Sequence, residues 1–165
     1  MRRLGELLTR DAEMLGQIES RDNGKIIRET GAQAKSLQGY FDFFAGLADK
    51  IGGEKLPDPG PNFLVYTEHV PVGVVGAIIP WNSPLALLTW KLGPLLAAGC
   101  TAVVKPSDIT PVTALLLAER ATEAGFPDGV INIVTGGPDV GAAISSHPGI
   151  DKITFTGGGA TARHR

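Results

Sequence analysis

Cysteine is almost missing from this chain of 165 residues, with Cys100 the single example. No internal disulfide framework, zinc ribbon or CxxC redox pair can be built from one thiol. Histidine is nearly as scarce, at three residues with no HExxH pattern, which removes the usual basis for a dedicated metal site. Charge of either sign is not in excess: the formal net charge is −2, so electrostatics supplies no reason to expect nucleic acid or an anionic membrane as partner. A long uninterrupted apolar run is also lacking. The most apolar stretch, Val70 to Val104, carries only the charge of Lys91, but Pro71, Pro80, Pro84, Pro94 and the Asn82-Ser83 pair cut it. A membrane span is therefore not expected. Glu6, Arg10, Asp11 and Glu13 interrupt what a signal peptide would need as its apolar core, and the chain is expected to be soluble and cytoplasmic.

What is present is a globular composition. Hydrophobic residues make up 43% and charged residues 19%, too apolar for a disordered chain. Glycine (22) and proline (12) imply many tight turns between short elements. Charge concentrates in residues 1–35, which read as a solvated front end to an apolar core.

Periodicity divides the chain into three parts: a helical segment 1–52, a linker with a hairpin or edge strand 53–71, and a third part 72–165. Leu4, Leu7, Leu8, Leu15 and Ile18 follow helical spacing. Asn23-Gly24 breaks the pattern, and Leu37, Tyr40, Phe41, Phe44, Leu47, Ala48 and Ile51 form a second stripe, read as core packing. Two helices are thus expected. Pro57-Asp58-Pro59-Gly60-Pro61 is a stiff linker, and 63–69 alternate as a strand would.

After Pro71, strands and helices alternate. Val72–Ile79, Thr101–Lys105, Val130–Val134 and Lys152–Thr156 read as strands. Ser83-Pro84 and Thr110-Pro111 each place a capping hydroxyl before a proline at the first helical position. The helices that follow end near Gly99 and Gly125, and Pro138–Ser146 forms another. Short β-branched strands separated by helices predict an α/β fold, a parallel sheet with helices on both faces.

In such a sheet, ligands bind beyond the carboxyl ends of the strands. The four exits are Pro80-Trp81-Asn82-Ser83, Pro106-Ser107-Asp108, Thr135-Gly136-Gly137-Pro138 and Gly157-Gly158-Gly159-Ala160-Thr161-Ala162. If the strands are parallel, one rim carries an amide, Lys105, a carboxylate and two glycine-rich turns, a composition suited to a nucleotide. Gly157-x-Gly159-x-x-Ala162 has the form of a dinucleotide fingerprint, although three glycines can also be only a flexible turn. No residues remain after Arg165 for the crossover helix, so the domain is expected to be incomplete.

An ordered series of motifs then covers nearly the whole chain. It runs through Val70-Pro71-Val72-Gly73-Val74-Val75-Gly76, Ile78-Ile79-Pro80-Trp81-Asn82, Leu96-Ala97-Ala98-Gly99-Cys100-Thr101 and Lys105-Pro106-Ser107-Asp108. It continues with Gly125-Phe126-Pro127-Asp128-Gly129-Val130-Ile131-Asn132, Thr135-Gly136 and Phe155-Thr156-Gly157. This series resembles the amino-terminal part of the cofactor-binding domain of the NAD(P)-dependent aldehyde dehydrogenase superfamily. The resemblance implies a Rossmann-like domain and oxidation of an aldehyde to a carboxylic acid with NAD or NADP. It also implies a homo-oligomer, with the oligomerisation arm expected from segments outside this sequence.

It implies roles residue by residue. Asn82 matches the asparagine whose amide helps hold the oxyanion; an NH₂ donor placed where negative charge develops stabilises a transition state. Lys105 and Asp108 match the pair at the adenosine ribose, with Ser107 beside them. Ile78, Ile79, Pro80 and Trp81 flank the cofactor, Gly137 and Gly141 pass their backbone against adenine, and Phe155, Thr156, Gly157 and Gly158 lie on the cofactor turn. Each has a plainer alternative. Asn82 can cap its own helix, Lys105 and Asp108 can form a weak surface pair, Ser107 can cap a turn, and the apolar residues can simply pack.

Departures carry consequences. Asp108 stands where the family usually has glutamate, and its carboxylate would still repel a 2′-phosphate, so NAD is expected over NADP. Gly158 replaces a common serine and Ala162 a common glycine. The family's nucleophilic cysteine and general-base glutamate have no counterparts here, since Cys100 opens a strand and reads as a small buried residue. The chain alone is expected to have no turnover. Two other classes stay open on the sequence: a non-catalytic nucleotide-binding module, and an interaction fragment of poor solubility. A Tyr-x-x-x-Lys pair, the mark of another oxidoreductase type, is absent.

Overall fold

The computed structural model of the chain describes residues 1–163. Helices α1 (Arg2–Arg10), α2 (Ala12–Asn23) and α3 (Ile27–Leu47) precede a βα succession. That succession is β1 (Val74–Ile78), α4 (Pro84–Ala97), β2 (Thr101–Lys105), α5 (Val112–Glu123), β3 (Ile131–Ile133), α6 (Pro138–Ser146), β4 (Lys152–Phe155) and α7 (Gly159–Ala162). The front end holds three helices where two were expected. The extra break falls at Asp11, whose backbone (φ −97°, ψ 9°) leaves the helical track. Its carboxylate is pulled aside by Arg10 at 2.7 Å and by Arg120 of α5 at 2.5 Å, and the second of these partners is invisible to a local pattern.

The four strands are all parallel, in the order β3-β2-β1-β4. Ile78 stands beside Lys105 on one side and Phe155 on the other, so the last residues of three strands form one row. Side chains alternate across a strand. Val75 and Ala77 join the core with Leu88 and Leu92 of α4. Gly76 points the other way, where an added Cβ would come within 2.6 Å of Ile144 on α6. Helices therefore cover both faces, and the missing side chain at Gly76 lets α6 approach. Segment 53–71 makes a small exposed hairpin, with one antiparallel bridge between Lys55 and Tyr66. Hydrogen bonds from the Leu56 amide to the Val65 carbonyl and from the Thr67 amide to the Glu54 carbonyl complete it.

The helices α4 and α5 end alike. Gly99 and Gly125 take φ +76° and +86°, and the next amide turns back to a helix carbonyl, Cys100 to Leu95 and Phe126 to Ala121. Their beginnings differ from expectation. The Ser83 and Thr110 hydroxyls make no capping hydrogen bond. Carboxylates of α2 cap both helices instead: Glu19 accepts from the Leu85 amide at 3.1 Å, and Asp22 from the Val112 amide at 3.3 Å. A charged acceptor at a helix amino end outcompetes a neutral hydroxyl, because it also meets the helix dipole. Thr110 is left buried, with its hydroxyl unpartnered among the described residues.

One core joins the parts. Leu4, Leu8, Leu15, Leu37 and Phe41 of the front helices form a single cluster with Leu88, Leu92, Val104 and Leu117. Burying each such side chain contributes roughly 1.5–3 kcal/mol. No described helix is long and apolar enough to cross a membrane.

Candidate functional site

The strand order turns round at β1. The chain moves outward from β1 to β2 and β3, then returns to place β4 on the other side of β1. The connections leaving β1 and entering β4 thus diverge, and a crevice opens beyond the carboxyl ends of the strands.

A cavity of about 870 Å³ occupies that crevice. Its floor is the row Ile78, Lys105 and Phe155, with Ile79 and Pro80 from the β1 exit. Ser107 and Asp108 of the β2 exit bound one end, and Thr156, Gly157 and Gly158 of the β4 exit the other. Gly141 contributes from α6. Eleven expected site residues therefore come together from three strand exits and one helix. Trp81, Asn82 and Gly137 do not line the cavity. Trp81 is 53% exposed, Asn82 is exposed beside it, and Gly137 caps α6 one residue ahead of the wall residue Pro138.

The wall also includes Pro138 and Thr161, placed above in strand exits without a role, and Ala142, Ser145 and Ser146, which the sequence reading passed over. The α6 members recur with Gly141 at helical spacing, so a stripe of small residues on that helix could have identified them. The glycine turn at β4 does more than expected: α7 begins at Gly159, so the first turn of a helix follows the fourth strand.

Local packing explains several positions. Lys105 is only 7% exposed, and its ammonium donates to the Pro106 carbonyl at 3.1 Å. Its aliphatic stem runs beneath α6, where an added Cβ on Gly141 would sit 3.7 Å from Lys105 Cδ. No ion pair joins Lys105 to Asp108 among the described residues. The Ser107 hydroxyl lies 3.5 Å from Asp108 Oδ1, a long contact at the cavity edge. A Cβ on Gly157 would come 2.5 Å from Phe155 Cζ, so that ring would have to move aside, whereas a Cβ on Gly158 would meet nothing within 4 Å.

The Asn82 loop is held from behind. Its main-chain carbonyl accepts from Asn23 Nδ2 at 3.3 Å, and Lys25 Nζ donates to Ser83 Oγ at 2.9 Å. Glu19 is 3% exposed and receives the Thr113 hydroxyl at 3.4 Å as well as the Leu85 amide. Burial pushes its carboxyl above the ordinary glutamate value, against the pull of those two hydrogen bonds and of Lys25.

A second, smaller hollow of about 600 Å³ lies along α4 and β4. It contains Cys100, which is 5% exposed and precedes the amino end of β2, away from the strand exits. Lys91 also lines it, donating to Thr154 Oγ1 at 2.9 Å, and burial lowers its ammonium from the ordinary lysine value.

The main cavity fits the demands of a dinucleotide. It has the size of a small-molecule site, apolar walls from Ile78, Ile79 and Pro138, the charged groups of Lys105 and Asp108, and hydroxyls from Ser107, Ser145, Ser146, Thr156 and Thr161. A glycine turn opens it at Gly157 and Gly158, where the second position leaves free space above the backbone.

Comparison with known proteins agrees with that geometry. The family model described as the aldehyde dehydrogenase family matches residues 1–164. A (Z)-2-((N-methylformamido)methylene)-5-hydroxybutyrolactone dehydrogenase of Acinetobacter baylyi is 48% identical, over 98% of this chain and 33% of its own length. Human aldehyde dehydrogenase 1A1 is 51% identical over 94% of this chain and 31% of its own. The solved structure of betaine aldehyde dehydrogenase from Staphylococcus aureus in complex with NAD+ superposes with a TM-score of 0.95 at 41% identity, covering 99% of this chain and 33% of that one. The chain spans about a third of the length of the curated relatives it matches.

Proposed function

Because the chain belongs to the aldehyde dehydrogenase family, we propose that it supplies the dinucleotide cradle of an enzyme that oxidises an aldehyde to a carboxylic acid with NAD+. One observation carries the reading: the cavity where the strand order turns round gathers Lys105, Asp108 and the Gly157-Gly158 turn from separate parts of the chain. On this reading the chain is the amino-terminal third of the enzyme. Segment 1–52 is the helical brace, 53–71 the hairpin, and 72–165 the first part of the cofactor domain. The enzyme works in the cytoplasm.

Lys105 and Asp108 hold the ribose hydroxyls of the adenosine half, with Ser107 beside them. Ile78, Ile79, Pro80 and Trp81 flank the cofactor, and Phe155, Thr156, Gly157 and Gly158 approach it along the turn. The backbone at Gly137 and Gly141 faces the adenine. When bound, the nicotinamide dinucleotide accepts a hydride. Asn82 stands at the β1 exit, and its amide donates to the negative charge that develops on the substrate oxygen. The Asp108 carboxylate opposes a 2′-phosphate, which selects NAD+ over NADP+. Cys100 is buried away from the exits, so the covalent chemistry belongs to another part of the enzyme. Homo-oligomerisation has support in the hairpin, where Phe63, Leu64, Tyr66 and Val70 are all more than half exposed.

Calorimetry of the chain with NAD+ and NADP+ tests the cradle. Saturable heat with NAD+, weaker heat with NADP+, and about tenfold weaker NAD+ binding in Lys105→Ala and Asp108→Ala are expected, the loss of one hydrogen bond to a charged group. Equal affinity for the two dinucleotides, or wild-type affinity in both variants, would remove the assignment. No aldehyde-dependent NADH formation is expected from the chain alone.

A further inference from the structure

The segment from Glu19 to Lys25, where α2 turns into α3, makes contacts that the cradle itself does not require. It touches the chain at three nearly consecutive points around the β1 exit. Asn23 Nδ2 donates to the carbonyl of Asn82 at 3.3 Å, Lys25 Nζ donates to Ser83 Oγ at 2.9 Å, and Glu19 accepts from the Leu85 amide at 3.1 Å. Only the last of these caps a helix. The other two grip residues that precede α4, and helix capping does not account for them.

The segment is itself braced. Asn23 Oδ1 accepts from the Lys25 amide at 2.9 Å, the Ser20 hydroxyl donates to the Lys25 carbonyl at 2.6 Å, and Gly24 makes the turn at φ +75°. Lys25 Nζ also donates to Gln33 Oε1 of α3 at 3.0 Å, so the ammonium bridges that helix and the loop. The Asn82 side-chain amide, in contrast, is exposed and makes no hydrogen bond among the described residues. Its main chain is tethered while its NH₂ group is left to act.

We propose that Asn23 and Lys25, with Glu19 behind them, are positioning residues for Asn82, fixing its main chain so that its unpartnered amide is held ready for a substrate oxygen. The proposal rests on the oxyanion role of Asn82 given above. Stabilisation of developing charge depends on donors that need no reorganisation when the charge appears. A loop has no such order of its own, and three anchors from the end of α2 and the turn that follows it supply it.

NMR relaxation of the ¹⁵N-labelled chain reads the positioning directly. In the wild type, Asn82 and Ser83 are expected to have backbone order parameters of about 0.85, as in the strands. Asn23→Ala and Lys25→Met should lower them below about 0.6 while Ala77 and Val104 keep theirs, and Lys25→Arg should restore them. Unchanged order at Asn82 in both variants overturns the proposal, as does a uniform loss that extends to the strands. In the dehydrogenase carrying this chain, Lys25→Met should lower kcat about tenfold with the KM for NAD+ unchanged; a rise in KM alone also counts against it. Asn82→Ala tests the parent reading separately. Unchanged kcat in that variant removes the oxyanion role, whatever the relaxation data show for Asn23 and Lys25.

Discussion

The two faces of the sheet are finished differently. On one, α4 and α5 lie under a further layer, α1 to α3, and Leu88, Leu117, Ala77 and Val104 are wholly buried. On the other, α6 stands without such a layer, Ile144 is 7% exposed, and Ile153 and Phe155 are only partly covered. The cavity opens on the second face, bounded by α6 and the strand ends. The doubly covered face concentrates stability, and the thinly covered face keeps room for a ligand.

The largest expected effect tests that division of labour. Phe41→Ala, made in a front helix remote from the cavity, should cost about 3–5 kcal/mol of unfolding free energy. Ile153→Ala on the open face should cost less than about 2 kcal/mol, because its side chain is already partly in water. Urea denaturation of both variants gives the comparison, and equal losses would erase the distinction.

A smaller contrast lies within the open face. Gly76→Val would drive a side chain into Ile144 and Ile153, each 2.6 Å from the position of an added Cβ. Overpacking of this kind costs about 1–3 kcal/mol. Gly158→Ser meets nothing within 4 Å, and its stability should stay within about 0.5 kcal/mol of the wild type. If Gly158→Ser proves the more damaging, the turn is not the open space described.

The smallest effects separate two carboxylates by the sign of their pH dependence. Glu19 is buried, and its carboxyl titrates above the ordinary glutamate value of 4.5 in the folded state. The folded state then holds more protons than the unfolded one, so this contribution to stability falls as pH rises from 4.5 through the folded value. Asp11 is held below the ordinary aspartate value of 3.8, first by the Arg10 hydrogen bond and then by Arg120. Its contribution is complete above 3.8 and is lost as pH falls through the folded value. Thermal melts across acidic pH should show Glu19→Gln gaining on the wild type as pH rises, and Asp11→Asn gaining as pH falls. The same slope for both variants would contradict the environments assigned to them.

Much of this was readable from residues. Thr101–Lys105 and Pro138–Ser146 keep the bounds that pattern alone assigns, because strand alternation and a proline-led helix start are local signals. The row of site residues along the strand exits followed from parallel strands, and the sheet is parallel. What escaped was non-local. Asp11, where the front end breaks, pairs with Arg120, more than a hundred residues away, and the caps of α4 and α5 come from Glu19 and Asp22 instead of the adjacent hydroxyls of Ser83 and Thr110. Ala142, Ser145 and Ser146 of α6 became site residues only when that helix was laid against the crevice.

The order of elements, the family and the identity of the rim residues were determined by the sequence, since each depends on neighbours a few positions apart or on motifs in series. Which carboxylate caps which helix, where the front end bends, and how the Asn82 loop is tethered were decided by tertiary structure. The choice of cap is a competition between a nearby neutral group and a distant charged one. Only folding brings the charged group close enough to win.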